Sequence, residues 1–406
     1  MLRKIRSPRP VFLVAVSASL SGLSACGGSS IAGGPPPAYA YVASADAGHR
    51  PVPGVVYQYT VGPDGSLTPM GITSVATGVA PTAMVPDPAG HYVYVANLGD
   101  ATISQYAVGM AGELSPLSPA VVSIGGPFPR AVGGWMSVDP SGRFLYVVTL
   151  AQDPAGPSAA IEQYSIGSGG ALTPLTPAYV DVPAFGYGPL AIDPSGHYAY
   201  LAGQANAPSG QVSQFSIGDD GTVSPLVPAA VAATAGAVSV TISPNGDSAY
   251  VLSVCVDSAC DGQVSQYAIG ASGALTSTGN TTLTGSHIYP AAMAIDDSGS
   301  SAYLLTNFQG VDTNTGAVYQ YAINGTGALV PDTPGSLGVS SGAVGETASG
   351  TNLYALGSNA VASPIGSQSG GQVDQYRMGS SGVLAAIGTT PVAAGLPTAI
   401  VVVTGH

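Results

Sequence analysis

Three side chains in this 406-residue chain combine a reactive type with a position that breaks an internal pattern: Arg130, His287 and Glu346. A guanidinium stabilises a developing oxyanion, and an imidazole or carboxylate takes a proton from water or returns one to a leaving oxygen. The set would suit addition of water to a carbonyl. Arg130 and His287 each stand twelve residues before a turn glycine, Gly142 and Gly299, so they are expected to enter innermost strands and face each other across a central opening. Glu346 stands four residues before Gly350, where the matching stretches carry Pro86, Val138, Ile192, Ile242 and Ile295. A carboxylate shielded from water there has a raised pKa, as a general acid needs. Trp135, Phe185, Tyr187 and Tyr289 are the expected aromatic rim of the same site. His91 and His197 directly follow turn glycines and read as surface residues. The string Gly338-Val339-Ser340-Ser341-Gly342 precedes a strand, not a strand-to-helix elbow, and carries no nucleophile signal.

The elements that must position these residues are repeats. Seven times a Gln followed by Tyr or Phe is trailed seven residues later by Gly, at Gln58/Gly65, Gln105/Gly112, Gln163/Gly170, Gln214/Gly221, Gln266/Gly273, Gln320/Gly327 and Gln375/Gly382. The spacing between glutamines runs from 47 to 58 residues, close to that of propeller blades, whose apolar faces need neighbours to cover them. Within each unit, runs such as Tyr92-Val93-Tyr94-Val95 and Ala249-Tyr250-Val251-Leu252 read as strands. Turns such as Asp139-Pro140-Ser141-Gly142 precede them, with Pro presetting one φ and Gly permitting a positive one. Proline-bearing runs such as Leu114-Ser115-Pro116 fit an outermost edge strand. The expected fold is an all-β, seven-bladed propeller of four-stranded blades over residues 38–406. The first unit lacks its first strand and the chain ends on a lone copy of one, Pro397 to Val403, so the C-terminal strand is expected to complete the first blade. A Gln repeated in every blade is expected to be a buried amide that satisfies backbone groups.

Two sets of connections alternate around such a ring. The Asp-Pro-Ser-Gly turns and the Gly65-type turns share one face, and longer variable loops occupy the other, where binding sites usually lie. One of those loops holds Cys255 and Cys260, expected to form a small disulfide in an oxidising compartment. The metal alternative has no nearby His or further Cys, and the acids are scattered rather than spaced as a calcium loop. No cofactor or metal is expected.

The N-terminus carries Arg3, Lys4, Arg6 and Arg9, then an apolar run from Val11 to Leu23, a pattern of secretory signals too short to span a bilayer. The following Leu23-Ser24-Ala25-Cys26 resembles the lipobox of bacterial lipoproteins. That resemblance implies a signal peptide over residues 1–25, acylation of Cys26, and a flexible tether over 26–37 rich in Gly, Ser and Pro. Gly27 after the cysteine implies the outer membrane of a Gram-negative cell envelope. Cleavage would remove four of the eight cations and none of the 21 acids, leaving a net charge of about −17. No lysine remains, which argues against nucleic-acid binding and against a phosphorylated substrate.

Tyr94-Val95-Ala96-Asn97, after Asp87-Pro88-Ala89-Gly90-His91, resembles the YVTN-type repeats of the seven-bladed lactonase-like propeller family, which includes 6-phosphogluconolactonases. The resemblance covers essentially residues 38–406 and implies His, Arg and Glu chemistry at a channel mouth. Two functions follow as expectations. One is a monomeric, membrane-anchored binding module that presents its long-loop face to a protein or glycan. The other is a hydrolase of an unphosphorylated lactone, with Glu346 or His287 as base and Arg130 at the oxyanion.

Overall fold

The computed structural model describes residues 37–45, 52–125, 132–153, 156–182, 185–186, 188–204, 209–254, 262–283, 288–308, 316–339, 342–349, 352–358, 371–379, 382–392 and 396–404. They form seven antiparallel blades in a ring, without a helix among them. Blade two is representative: Pro81–Pro86 is innermost, followed outward by Tyr92–Asn97, Thr102–Val108 and Leu114–Ser123. In blade four the innermost strand is split into Phe185–Gly186 and Ala191–Ile192, both pairing with Tyr198–Gln204. Blade one is assembled from both ends of the chain, with Leu396–Thr404 innermost and paired to Ala38–Ala45. Ala38 sits opposite Thr404. Because Ala38–Ala45 is the second strand of its blade, this junction lies where the other blades carry their Asp-Pro turns, on the short-turn face.

Burial falls from the axis outward, and the residue types follow it. The second strands are covered on both faces by neighbouring blades, so Tyr94, Val95 and Ala96 are all fully buried. The outer strand Leu114–Ser123 is largely exposed and carries the polar residues and prolines. Seven tyrosines at the same level of the second strand, Tyr41 through Tyr354, are fully buried. Each such side chain contributes on the order of 1.5–3 kcal/mol by leaving water.

Two closed circuits of hydrogen bonds stitch the blades together. In the first, each repeated glutamine accepts from the backbone N–H that begins the next blade's outer strand: Gln58 from Leu114, Gln105 from Leu172, Gln163 from Val223, Gln214 from Leu275, Gln266 from Leu329, Gln320 from Leu384, at 2.6–3.1 Å. Gln375 completes the circuit on Leu67 at 3.1 Å. In the second, each buried tyrosine donates its hydroxyl to the carbonyl of the next blade's turn glycine, from Tyr41 on Gly112 at 2.6 Å round to Tyr354 on Gly65 at 3.0 Å.

The glutamines also explain the outer strands. In blades one, two, three, four and six the outer strand begins with a residue pair followed by proline, as at Pro116 and Pro225, and the ladder jumps there. Tyr106 pairs with Pro116 but Ser104 pairs with Val121, so one residue, Gln105, faces a bulge. Its amide donates to the stranded Pro119 carbonyl at 2.9 Å, and Gln163 and Gln214 do the same for Pro177 and Pro228. Blades five and seven have Ser277 and Ala386 instead of that proline and a smaller bulge; there the amide reaches a threonine hydroxyl, Thr281 or Thr390.

The glycines seven residues after the repeated glutamines are doubly required. Gly170 has φ +79°, and a Cβ on it would run into the ring of Tyr92 from the preceding blade.

Candidate active site

The innermost strands run from the long-loop face to the short-turn face and surround a central channel. Its short-turn half holds a cavity of about 550 Å³, walled by aliphatic residues such as Val85, Val138, Ile242 and Val403. Pro88, Pro140, Pro194 and Pro244, one from each of four consecutive blades, form a collar at its mouth. Each proline lies against the turn glycine of the next blade, with Pro88 Cδ 3.4 Å from where a Cβ of Gly142 would be. Blade six has Asp297 at the collar position, and Asp297 and Asp87 are the ionisable side chains among the described lining residues. Asp87 is committed to its own turn, accepting from the N–H groups of Tyr92 and Ala89 at 2.6 and 3.3 Å. The corresponding acid of blade six is Asp296, which accepts from Ser300 and Ser301 at 2.9 and 2.8 Å. Partial burial, and then the neighbouring Asp296 carboxylate, push the Asp297 carboxyl above the usual carboxylate range.

Arg130, His287, Tyr187, Cys26, Cys255 and Cys260 lie outside the described residues. The backbones of Phe185 and Tyr289 pair with Gln204 and Asn307, at the ends of innermost strands nearest the long loops. Trp135 corrects its expected place on the rim. It is 2 % exposed and belongs to the core shared by blades two, three and four, because its strand position is level with Ala83 and Ala292, which also pack between blades. Glu346 also needs a correction of level. Its partner is Ala355, the residue after Tyr354, whereas Ile295 pairs with Ala302, the residue before Tyr303. The turn of blade seven is two residues shorter than the others, so Glu346 is level with Met84, Met136, Val240 and Met293 and not with Ile295. Those four positions are all buried.

Two buried carboxylates escaped sequence reasoning. Glu162 and Asp374, each 2 % exposed, occupy the position before the repeated glutamine in blades three and seven. Tyr164 donates its hydroxyl to Glu162 at 3.1 Å, and burial, then that carboxylate, push the phenol pKa up. The replacement of serine at Ser104, Ser213 and Ser265 by an acid was the available signal. His91 and His197 are exposed on the short-turn face, as expected. Among the described residues no group of three or more His, Cys, Asp or Glu side chains is arranged to hold a metal ion.

A family model described as a seven-bladed β-propeller lactonase matches residues 37–329. No curated protein sequence matches the chain. Among solved structures, the periplasmic gluconolactonase of Pseudomonas aeruginosa is 16% identical, with a TM-score of 0.66 over 91% of this chain and 100% of its own. A protein from Lactobacillus plantarum is 17% identical, with a TM-score of 0.64 over 90% of this chain and 99% of its own. At such identity the likeness is one of fold.

Proposed function

Because the chain belongs to the seven-bladed β-propeller lactonase family, we propose that it is a hydrolase of unphosphorylated lactones acting at the long-loop end of the central channel. The family match over most of the ring carries this reading. In the sequence Arg130 and His287 precede innermost strands, and the backbone of Glu346 lies on one, which supports assigning all three to the channel. Glu346 or His287 takes a proton from water as its oxygen adds to the lactone carbonyl, and Arg130 stabilises the oxyanion. Collapse of that intermediate breaks the ring C–O bond, and the proton returns to the departing alkoxide, giving a hydroxy acid. Four arginines and no lysine beyond the signal segment favour an uncharged cyclic ester over a phosphorylated one. The Pseudomonas aeruginosa relative is named for an unphosphorylated lactone and for the periplasm.

Export as a lipoprotein acylated on Cys26 belongs to the same proposal. Residues 27–37 reach at most about 40 Å, and the strand they lead into starts on the short-turn face. That face is then held toward the lipid, and the long-loop face with its active site points away. The second reading is a binding module that holds a protein or glycan on the variable long loops.

Turnover of gluconolactone above its spontaneous hydrolysis, followed by acid release, separates the two. We expect hydrolysis by the intact chain and a fall in kcat/KM of about 10²–10³ in Arg130→Ala. Undiminished turnover in that variant sinks the assignment of Arg130. A folded protein without turnover leaves the binding module.

A further inference from the structure

The short-turn mouth of the channel has features the hydrolase reading does not use. Its cavity of about 550 Å³ falls within the range of small-molecule sites, and its wall is aliphatic. The collar position is proline in four consecutive blades, where its Cδ lies 3.4–3.7 Å from where a Cβ of the next turn glycine would be and the ring presets the turn. Blade six gives up both contributions at Asp297. The carboxylate is not there to hold its own turn, since Asp296 accepts the backbone N–H groups of Ser300 and Ser301, as Asp139 does for Arg143 and Phe144 in blade three. Asp297 therefore puts a second negative charge beside Asp296, at the mouth of an apolar cavity whose described lining contains no cation. A ligand cation would relieve that repulsion, and an apolar body behind it would displace water from the aliphatic wall.

We propose that this mouth binds a small amphipathic ammonium compound, with its alkyl portion inside the channel among Val138, Ile242 and Ile295 and its charged head at Asp297. The proposal rests on Asp297 and the collar, not on the lactone reading, although Glu346 is level with Met136 and Val240, which line the inner part of the same cavity. A bare divalent cation fits less well, because the turn's N–H groups occupy Asp296 and the wall offers aliphatic carbon.

The test is calorimetric titration of the intact chain with hexyltrimethylammonium, alongside 1-hexanol and hexanoate. The expected order is the ammonium tightest, hexanol weaker, and hexanoate weakest. Asp297→Asn should weaken the ammonium about fivefold or more while leaving hexanol unchanged. Asp297→Pro installs the residue that blades two to five carry; it should keep the thermal midpoint and lose the same preference. The proposal is overturned if the ammonium and hexanol bind equally, if the ammonium does not bind at millimolar concentration, or if both variants bind it as the parent does.

Discussion

Gln214→Met isolates the contribution of one inter-blade amide. Methionine has nearly the volume and shape of glutamine, so the substitution opens little cavity and removes two hydrogen bonds. The 2.7 Å bond from the Leu275 N–H is fully buried, and without it a backbone donor between blades four and five has no partner; such a loss costs about 1–3 kcal/mol. The 3.0 Å bond to the Pro228 carbonyl is only partly buried and Pro228 itself is exposed, so water replaces it and the loss is about 1 kcal/mol or less. The expected total is about 1–4 kcal/mol. Urea unfolding followed through Trp135, the single tryptophan and a core residue of blade three, should show a lower midpoint at unchanged slope. Gln266→Met should cost somewhat less, because the hydroxyl of Thr281 can rotate to another partner once the amide has gone. A loss below about 0.5 kcal/mol in Gln214→Met would refute the reasoning, since the buried donor would then have been satisfied some other way.

Alanine at Gly142 and at Gly170 should separate backbone strain from close approach. At Gly142, with φ +69° and only ordinary contact to Pro88, the cost should be about 1–2 kcal/mol, whereas at Gly170 the ring of Tyr92 must also move and the fall in Tm should be at least twice as large; equal shifts would contradict the packing argument. At alkaline pH the buried tyrosines should unfold the ring. Burial pushes Tyr303 and Tyr354 up to about 12 from 10.0, and a phenolate can no longer donate to the glycine carbonyls. A raised folded-state pKa means this stability is fully present below pH 10, the unfolded value, and is lost as pH rises toward 12. Absorbance at 295 nm should therefore rise together with loss of β-sheet circular dichroism; full tyrosine ionisation near pH 10 in a still-folded ring would show the phenols to be accessible.

The ring was legible in sequence because one contact is made seven times. Gln58 and Gly65 keep their distance since the turn between them must return under the preceding blade, and each copy repeats that constraint. The partner on the next blade was not legible, because nothing local in Gln58 points to Leu114, 56 residues away. The proline in Leu114-Ser115-Pro116 read as edge protection; its coincidence with the bulge opposite Gln105 emerges only from the pairing. Counting back from the turn glycine misplaced Glu346 because the count assumes a constant turn length, and blade seven shortens its turn. Trp135 drew attention as a singular residue, yet a strand position level with Ala83 had already assigned it to packing. The candidate site depends on residues that break the repeat, and a repeat can say where they enter the ring but not how their side chains meet.

Completion of blade one by Leu396–Thr404 also sets an order in time. The hydroxyl of Thr398 meets the carbonyl of Ala43 across 355 residues of chain, so as synthesis proceeds from the N-terminus Ala38–Ala45 waits for Leu396–Thr404. Until then Ala38–Ala45 is an open edge, and neither hydrogen-bond circuit can act as a closed loop under load. Contacts between distant residues form slowly because the intervening chain must first be brought together. A chain cut short anywhere before residue 396 leaves that edge of Ala38–Ala45 without its partner strand, so a truncated product carries an exposed pairing edge that the paired ring hides.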